Sequence, residues 1–135
     1  MSGADHMQIG EVAERTGLSL RTIRYYGEVG LAEPSARSRG GFRLYTQSDV
    51  ERLNLIKRMK PLEFSLEETR ELLAALDRLN AADTDSEERA SLSERLDAFE
   101  AAIDARCQTL RDQLAMAEEF AGKLREQRSR QHTST

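Results

Sequence analysis

Two arginines, a threonine and two tyrosines fall within the six residues 21–26 of the stretch Leu18-Ser19-Leu20-Arg21-Thr22-Ile23-Arg24-Tyr25-Tyr26. Guanidinium groups, a hydroxyl and phenol rings on one candidate helix suit entry into a nucleic-acid groove, where arginine meets a guanine edge or a phosphate. Leu20 and Ile23, three apart, are the apolar positions expected to face inward together, leaving Arg21, Arg24 and one tyrosine on other faces. The chain offers little competing chemistry. His6 and His132 lie near the two ends, Cys107 is the only cysteine, and no Gly-rich phosphate loop or nucleophile–base pair is present. An enzyme reading has nothing to stand on, and no cofactor is expected.

A chain of 135 residues with 5% aromatic and 33% charged residues suits long helices better than a large globular core. The net charge of −4 hides a split: residues 1–60 hold ten Lys/Arg against seven Asp/Glu, and residues 61–135 hold ten against seventeen. A basic front half neutralises phosphates, whereas an acidic helical rear half suits a protein partner. With one cysteine, neither an intrachain disulfide nor a multi-cysteine metal site forms within a chain, and a reducing, cytoplasmic setting is the simplest inference. No apolar run approaches the roughly 20 residues needed to span a bilayer, and no signal-peptide core is visible, so no membrane partner is expected.

The basic stretch needs neighbouring elements to position it. Ile9, Val12 and Ala13 recur at helical spacing until Gly17 stops the first helix, and Ser19 is the expected N-cap of the second. A small residue (Ala13), a tight turn (Gly17) and a branched apolar plug (Ile23) are what a helix-turn-helix requires; a plain helical hairpin is the alternative. Pro34 marks extended chain. In Arg37-Ser38-Arg39-Gly40-Gly41-Phe42-Arg43-Leu44-Tyr45 the two glycines can turn a hairpin, and Phe42 and Leu44 alternate with Arg43 and Tyr45 across its second strand. This reads as a short basic β-wing whose arginines reach phosphates or are merely solvated. Thr46 to Asp49 and Ser65 to Glu68 resemble capping boxes for a third and a fourth helix, with Phe64 expected buried between them. Ser86-Glu87-Glu88 is the expected cap of a fifth.

Leu92, Leu96, Phe99, Ile103, Cys107, Leu110, Leu114, Ala117, Ala121 and Leu124 then recur three or four apart, nine steps over 32 residues, close to a coiled-coil period. A helix this long has no core of its own and must pack against another chain, most simply a twofold copy of itself. The domains expected are 7–80 for nucleic-acid binding, a loop at 81–85 and a dimerisation helix at 86–128, with disordered ends at 1–6 and 129–135. Cys107 has two readings: a small buried hydrophobe, or a redox-sensing thiol meeting its counterpart across an antiparallel crossing.

Together, Ile9-Gly10-Glu11-Val12-Ala13, Thr22-Ile23-Arg24-Tyr25-Tyr26, Gly30-Leu31, Gly41-Phe42-Arg43-Leu44-Tyr45, Asp49-Val50 and Phe64-Ser65-Leu66-Glu67-Glu68 resemble the MerR family of transcriptional regulators over residues 8–76. The resemblance implies a mostly α fold: a winged helix-turn-helix DNA-binding domain plus a long C-terminal helix that forms an antiparallel coiled-coil homodimer. It also implies a function: binding a pseudo-palindrome between two promoter elements and untwisting an overlong spacer so that RNA polymerase reads both, which is readout by deformability. Carried onto this chain, the DNA contacts expected are Arg21, Thr22, Arg24 and Tyr25 on the recognition helix and Arg37, Arg39, Arg43 and Tyr45 on the wing, with Tyr26 assigned to packing. Tyr25 as core and Arg21 as solvated surface are the bland alternatives.

Two departures from the family pattern stand out. Glu63 occupies the place before Phe64 where the family usually has glycine, with Pro61 just upstream. Metal-sensing members carry cysteines at the start of the long helix and in a loop after it, and this chain has none in either place. After Leu124 about ten residues remain, too few for a separate effector domain, so a small effector is expected to bind in the dimer groove beside the fourth helix. An architectural or excisionase-like DNA-bending protein is the competing reading, and the long helix favours the regulator.

Overall fold

The computed structural model describes residues 5–133 and divides after Thr84 into two compact units. The N-terminal unit contains β1 (Met7–Gln8), α1 (Ile9–Thr16), α2 (Leu20–Glu28), β2 (Ala36–Arg37), β3 (Arg43–Tyr45), α3 (Gln47–Met59), a 3-10 turn at Lys60–Leu62 and α4 (Leu66–Leu79). Its centre is filled by Val12, Ile23, Tyr45, Leu53 and Leu73, one side chain from each main element.

Helices α1 and α2 are set at a tight turn by their ends. Gly17 adopts a left-handed φ of 72° and its N–H donates to the Ala13 carbonyl, the arrangement that closes a helix without straining a Cβ. The Ser19 Oγ then accepts from the Thr22 N–H at 3.1 Å and starts α2. Buried Ile23 is the expected plug, but Leu20 is 40% exposed and does not turn inward with it. As the first residue of α2, Leu20 precedes the turn that packs on α1. The far end of α2 is a Schellman motif: the Leu31 N–H donates to the Tyr26 carbonyl, the Gly30 N–H to that of Gly27, and Gly30 is left-handed at φ 77°.

The wing is part of a three-stranded antiparallel sheet in the order β1-β3-β2. Strand β1, unread in the sequence, pairs Met7 with Tyr45, while β2 pairs Ala36 with Leu44 and Arg37 with Arg43. Of the two wing glycines only Gly41, at φ 82°, is left-handed. Capping boxes open α3 at Thr46 with Asp49 and α4 at Ser65 with Glu68. Phe64 between them is half-buried and Leu66 is exposed, so the expected burial at this junction is only partial.

The C-terminal unit is the single helix α5 (Ser86–Thr133), 48 residues long. Its cap is Asp85, whose carboxylate accepts from the Glu88 N–H at 2.8 Å, rather than Ser86; the carboxylate also suits the positive end of the helix dipole. The helix continues past the expected end at 128 because residues 123–133 contain no breaker and place Arg128, Arg130 and His132 near its negative end. Within the expected ends, residues 1–4, 134 and 135 lie outside the described residues. On the apolar stripe Leu92 is 4% exposed, whereas Leu110, Leu114 and Leu124 stand in solvent. Phe99, Ile103 and Cys107 are two consecutive steps of four, which locally relaxes a left-handed supercoil.

The bend between α3 and α4 is made by Glu63, at φ 58° the only non-glycine residue among those described with positive φ. Its N–H donates to the Lys60 carbonyl, so the left-handed residue is required by the turn. Replacing Glu63 with glycine removes a left-handed strain of about 1–2 kcal/mol against a smaller entropic cost. Chemical denaturation of Glu63→Gly should therefore show a net gain of roughly 0.5–1 kcal/mol.

Candidate nucleic-acid interface

Helix α2 presents Arg21, Arg24 and Tyr25 to solvent, Tyr25 at 49% exposure. Thr22 is half-buried: its N–H donates to the Ser19 Oγ and its hydroxyl accepts from that same oxygen at 2.9 Å, so it is first a part of the helix cap. Tyr26 packs against the core, and burial, with a smaller effect of Tyr25, pushes its phenol above the ordinary value. The two rings are 5.9 Å apart and inclined at 52°, so Tyr26 props Tyr25 from behind.

On the wing, the Arg37 guanidinium donates to the Gly41 carbonyl at 3.1 Å and braces the loop, while the Ser38 N–H donates to the Phe42 carbonyl to close it. Arg24, Arg37 and Arg43 together line a hollow of about 140 Å³ with Gln8, Ile9, Gly41 and Phe42. Arg39 stands exposed in the loop, and Arg21 on α2.

Tyr45 is a correction. Expected on the DNA-facing side of the wing, it is 0% exposed, because its side chain belongs to the core cluster with Val12 of α1, Ile23 of α2 and Val50 and Leu53 of α3. Strand alternation says which residues share a face, and the helices packed on the sheet decide which face becomes interior. The Tyr45 hydroxyl has no hydrogen-bond partner among the described residues. Burial raises its pKa, Arg43 opposes that, Asp49 adds to it, and Arg24 and Arg37 oppose it further. The pull of three arginines on one phenol reflects how closely α2 and the wing bring their positive charges.

Phe42 joins the expected contacts as a residue that sequence reasoning missed. At 65% exposure it is a large apolar side chain at the wing tip, beside the arginines, with its ring so close over Gly40 that a Cβ there would stand 3.2 Å from it. Such a ring can pack on a deoxyribose wall where arginines hold the phosphates on either side. The sequence signal is the Gly40-Gly41 pair, which puts Phe42 in the loop rather than in a half-buried strand.

Not every front-half cation is free to meet phosphate. Arg15 pairs with Glu11 at 2.7 Å and donates to Gln47, Lys57 donates to the Thr16 carbonyl at 2.7 Å, and Arg52 is held by Asp77 and the Leu31 carbonyl. Arg21, Arg24, Arg37, Arg39 and Arg43 have no ion pair shown among the described residues, and all lie on α2 or the wing.

Residues 7–76 match the family model described as MerR HTH family regulatory protein, and residues 50–117 match that described as MerR, DNA binding. The mercuric resistance operon regulatory protein of Bacillus cereus is 45% identical over 71 residues, 53% of this chain and 54% of that one, so the match spans about half the length of that relative. The transcriptional regulator CueR of Salmonella typhi is 38% identical over 117 residues, covering 86% of this chain and 83% of the relative. The solved structure of HiNmlR, a MerR family regulator lacking the sensor domain and bound to promoter DNA, has the same fold, with a TM-score of 0.67, 24% identity and 97% of each chain covered. Soft heavy metals are held by thiolates. This chain has one cysteine, so a single chain does not supply the several thiolates of such a cage.

Tyr45→Phe should leave DNA affinity unchanged and hold or raise stability by up to about 1 kcal/mol, since it removes an unsatisfied buried hydroxyl. In the parent, the unfolded phenol ionises near pH 10 while the folded one resists. Above that pH the unfolded state binds fewer protons, so stability falls as pH rises; denaturation curves of Tyr45→Phe should lack that component.

Proposed function

This chain belongs to the MerR family of helix-turn-helix regulatory proteins, and from that premise we propose that it is a sequence-specific regulator of transcription. It binds a pseudo-palindromic promoter spacer as a homodimer and distorts it under RNA polymerase. The observation that carries the DNA reading is the clustering of charge: five arginines on α2 and the wing, without an ion pair among the described residues, beside exposed Tyr25 and Phe42. Arg24 and Tyr25 read base edges in the major groove, and Arg37, Arg39 and Arg43 hold the flanking backbone.

The dimer reading rests on α5. Leu110, Leu114 and Leu124 are large apolar side chains left in solvent along one stripe of the helix, a patch that a second copy covers. Leu96, Phe99, Ile103, Cys107, Ala117 and Ala121 continue the seam. A twofold pair of reading units then requires two half-sites at fixed spacing, and a spacer of the wrong length or twist is accommodated by deforming the DNA. Cys107 is half-buried and serves in this reading as a small packing residue of the seam.

A duplex pool of random sequence selected on the protein supplies the operator. Footprinting should show two protected half-sites related by a dyad, and transcription by purified polymerase from a promoter containing that operator should change in yield. Protection without any change in transcript would favour an architectural protein instead. On the selected operator, Arg24→Ala should cost about 1–3 kcal/mol and relax preference at one base position. Sedimentation of Leu114→Glu should show a shift toward monomer, with operator binding weakened in parallel.

A further inference from the structure

Helix α2 ends in carbonyl oxygens that the Schellman motif leaves without backbone donors. Two carbonyls of this turn, on Val29 and Leu31, are taken by arginines from the second helix pair. Arg70 of α4 donates to the Val29 carbonyl at 2.7 Å. Arg52 of α3 donates through Nε to the Leu31 carbonyl at 2.5 Å, and its Nη1 is held by both carboxylate oxygens of Asp77 of α4 at 3.0 and 3.1 Å. Residues 70 and 77 are two turns apart on one face of α4, so α4 grips the end of α2 twice, once directly and once through Arg52. Gly30 sits between the two held carbonyls, and a Cβ there would stand 3.3 Å from Arg70 Nη1. The missing side chain is what lets the guanidinium lie over the turn.

We propose that Arg52, Arg70 and Asp77 are positioning residues that transmit the placement of α4 to the recognition helix, and thereby set how well the operator is distinguished from other DNA. The inference rests on the DNA-binding reading under Proposed function. A charge-assisted bond from a guanidinium to a helix-end carbonyl also complements the negative end of the helix dipole, so each clamp fixes the direction of α2 as well as its end point. A displacement of α4 is then carried into the angle at which Arg21, Arg24 and Tyr25 meet base edges. Phosphate contacts from the wing tolerate such a change better, because they read no sequence.

The full chain and three variants test this: Arg70→Met, which keeps most of the stem and loses the donors; Arg70→Lys, which keeps a donor; and Asp77→Asn. Each is titrated against the selected operator and against a scrambled duplex over a range of salt concentrations. Arg70→Met should lose roughly tenfold in operator affinity with scrambled binding and the salt slope unchanged, Arg70→Lys should recover most of that loss, and Asp77→Asn should lose less. A salt slope reduced by about one would make Arg70 a phosphate contact, and equal losses on both duplexes would make it a residue of general stability; either result overturns the proposal. Hydrogen exchange on the free protein separates this outcome from a failure of the DNA reading. The Gly30, Leu31 and Ala32 amides should exchange faster in Arg70→Met than in the parent, and unchanged protection would show that the clamp does not hold the turn.

Discussion

The structure depends on how the C-terminal ends of α1 and α2 are satisfied. Each helix of the reading unit stops at a left-handed glycine, Gly17 or Gly30, and each leaves carbonyls pointing out of the helix that backbone donors do not reach. The donors come from the second helix pair: Lys57 on the Thr16 carbonyl, Arg52 on Leu31 and Arg70 on Val29. Both glycines lie under the cations that cap them, since a Cβ at Gly17 would stand 3.1 Å from Lys57 Nζ. Backbone conformation, absence of a side chain and a capping charge are therefore one requirement, met twice. The supporting helices hold the reading helices by their ends as well as by the core beneath them.

That requirement sets several cations of the N-terminal unit apart from the arginines of α2 and the wing. Lys57, Arg52 and Arg70 are committed to carbonyls, and Arg15 is committed to Glu11 and Gln47. The arginines of α2 and the wing make no such ion pairs among the described residues, and three of them crowd together closely enough to act jointly on the Tyr45 phenol. A count of basic residues along the chain sees one population. Only the fold shows which charges build the head and which remain for a polyanion.

Much of this is legible in the chain itself. Stop and start signals depend on local backbone chemistry, so Gly17, Ser19, Gly30, Thr46 and Ser65 mark their boundaries directly. The departure at Glu63 is legible too: glycine's usual place is held by a residue that still adopts the left-handed φ. Face assignment is where the pattern falls short. Arg43 and Tyr45 share a strand face by alternation, yet one reaches solvent and the other is sealed. What seals Tyr45 is the core built with α1, α2 and α3, which the alternation within β3 does not reveal. Leu20 escapes for a related reason, since helical spacing shows which residues align but not where along the helix the neighbour begins. Asp85 and Ser86 are both good caps, and their sequence alone does not choose between them.

A chain of net charge −4 and isoelectric point near 5.3 is a poor DNA-binding protein only if charge acts as a sum. At physiological ionic strength screening removes interactions beyond roughly 8–10 Å, so a phosphate at the wing responds first to Arg24, Arg37 and Arg43, which line one hollow there. The carboxylates of α5 have local work of their own, as in the Lys123–Glu119 pair at 3.4 Å, which supports a long solvated helix. For any sequence-specific regulator it is the ratio of specific to non-specific affinity, set by local contacts rather than by net charge, that decides whether one site is found among many.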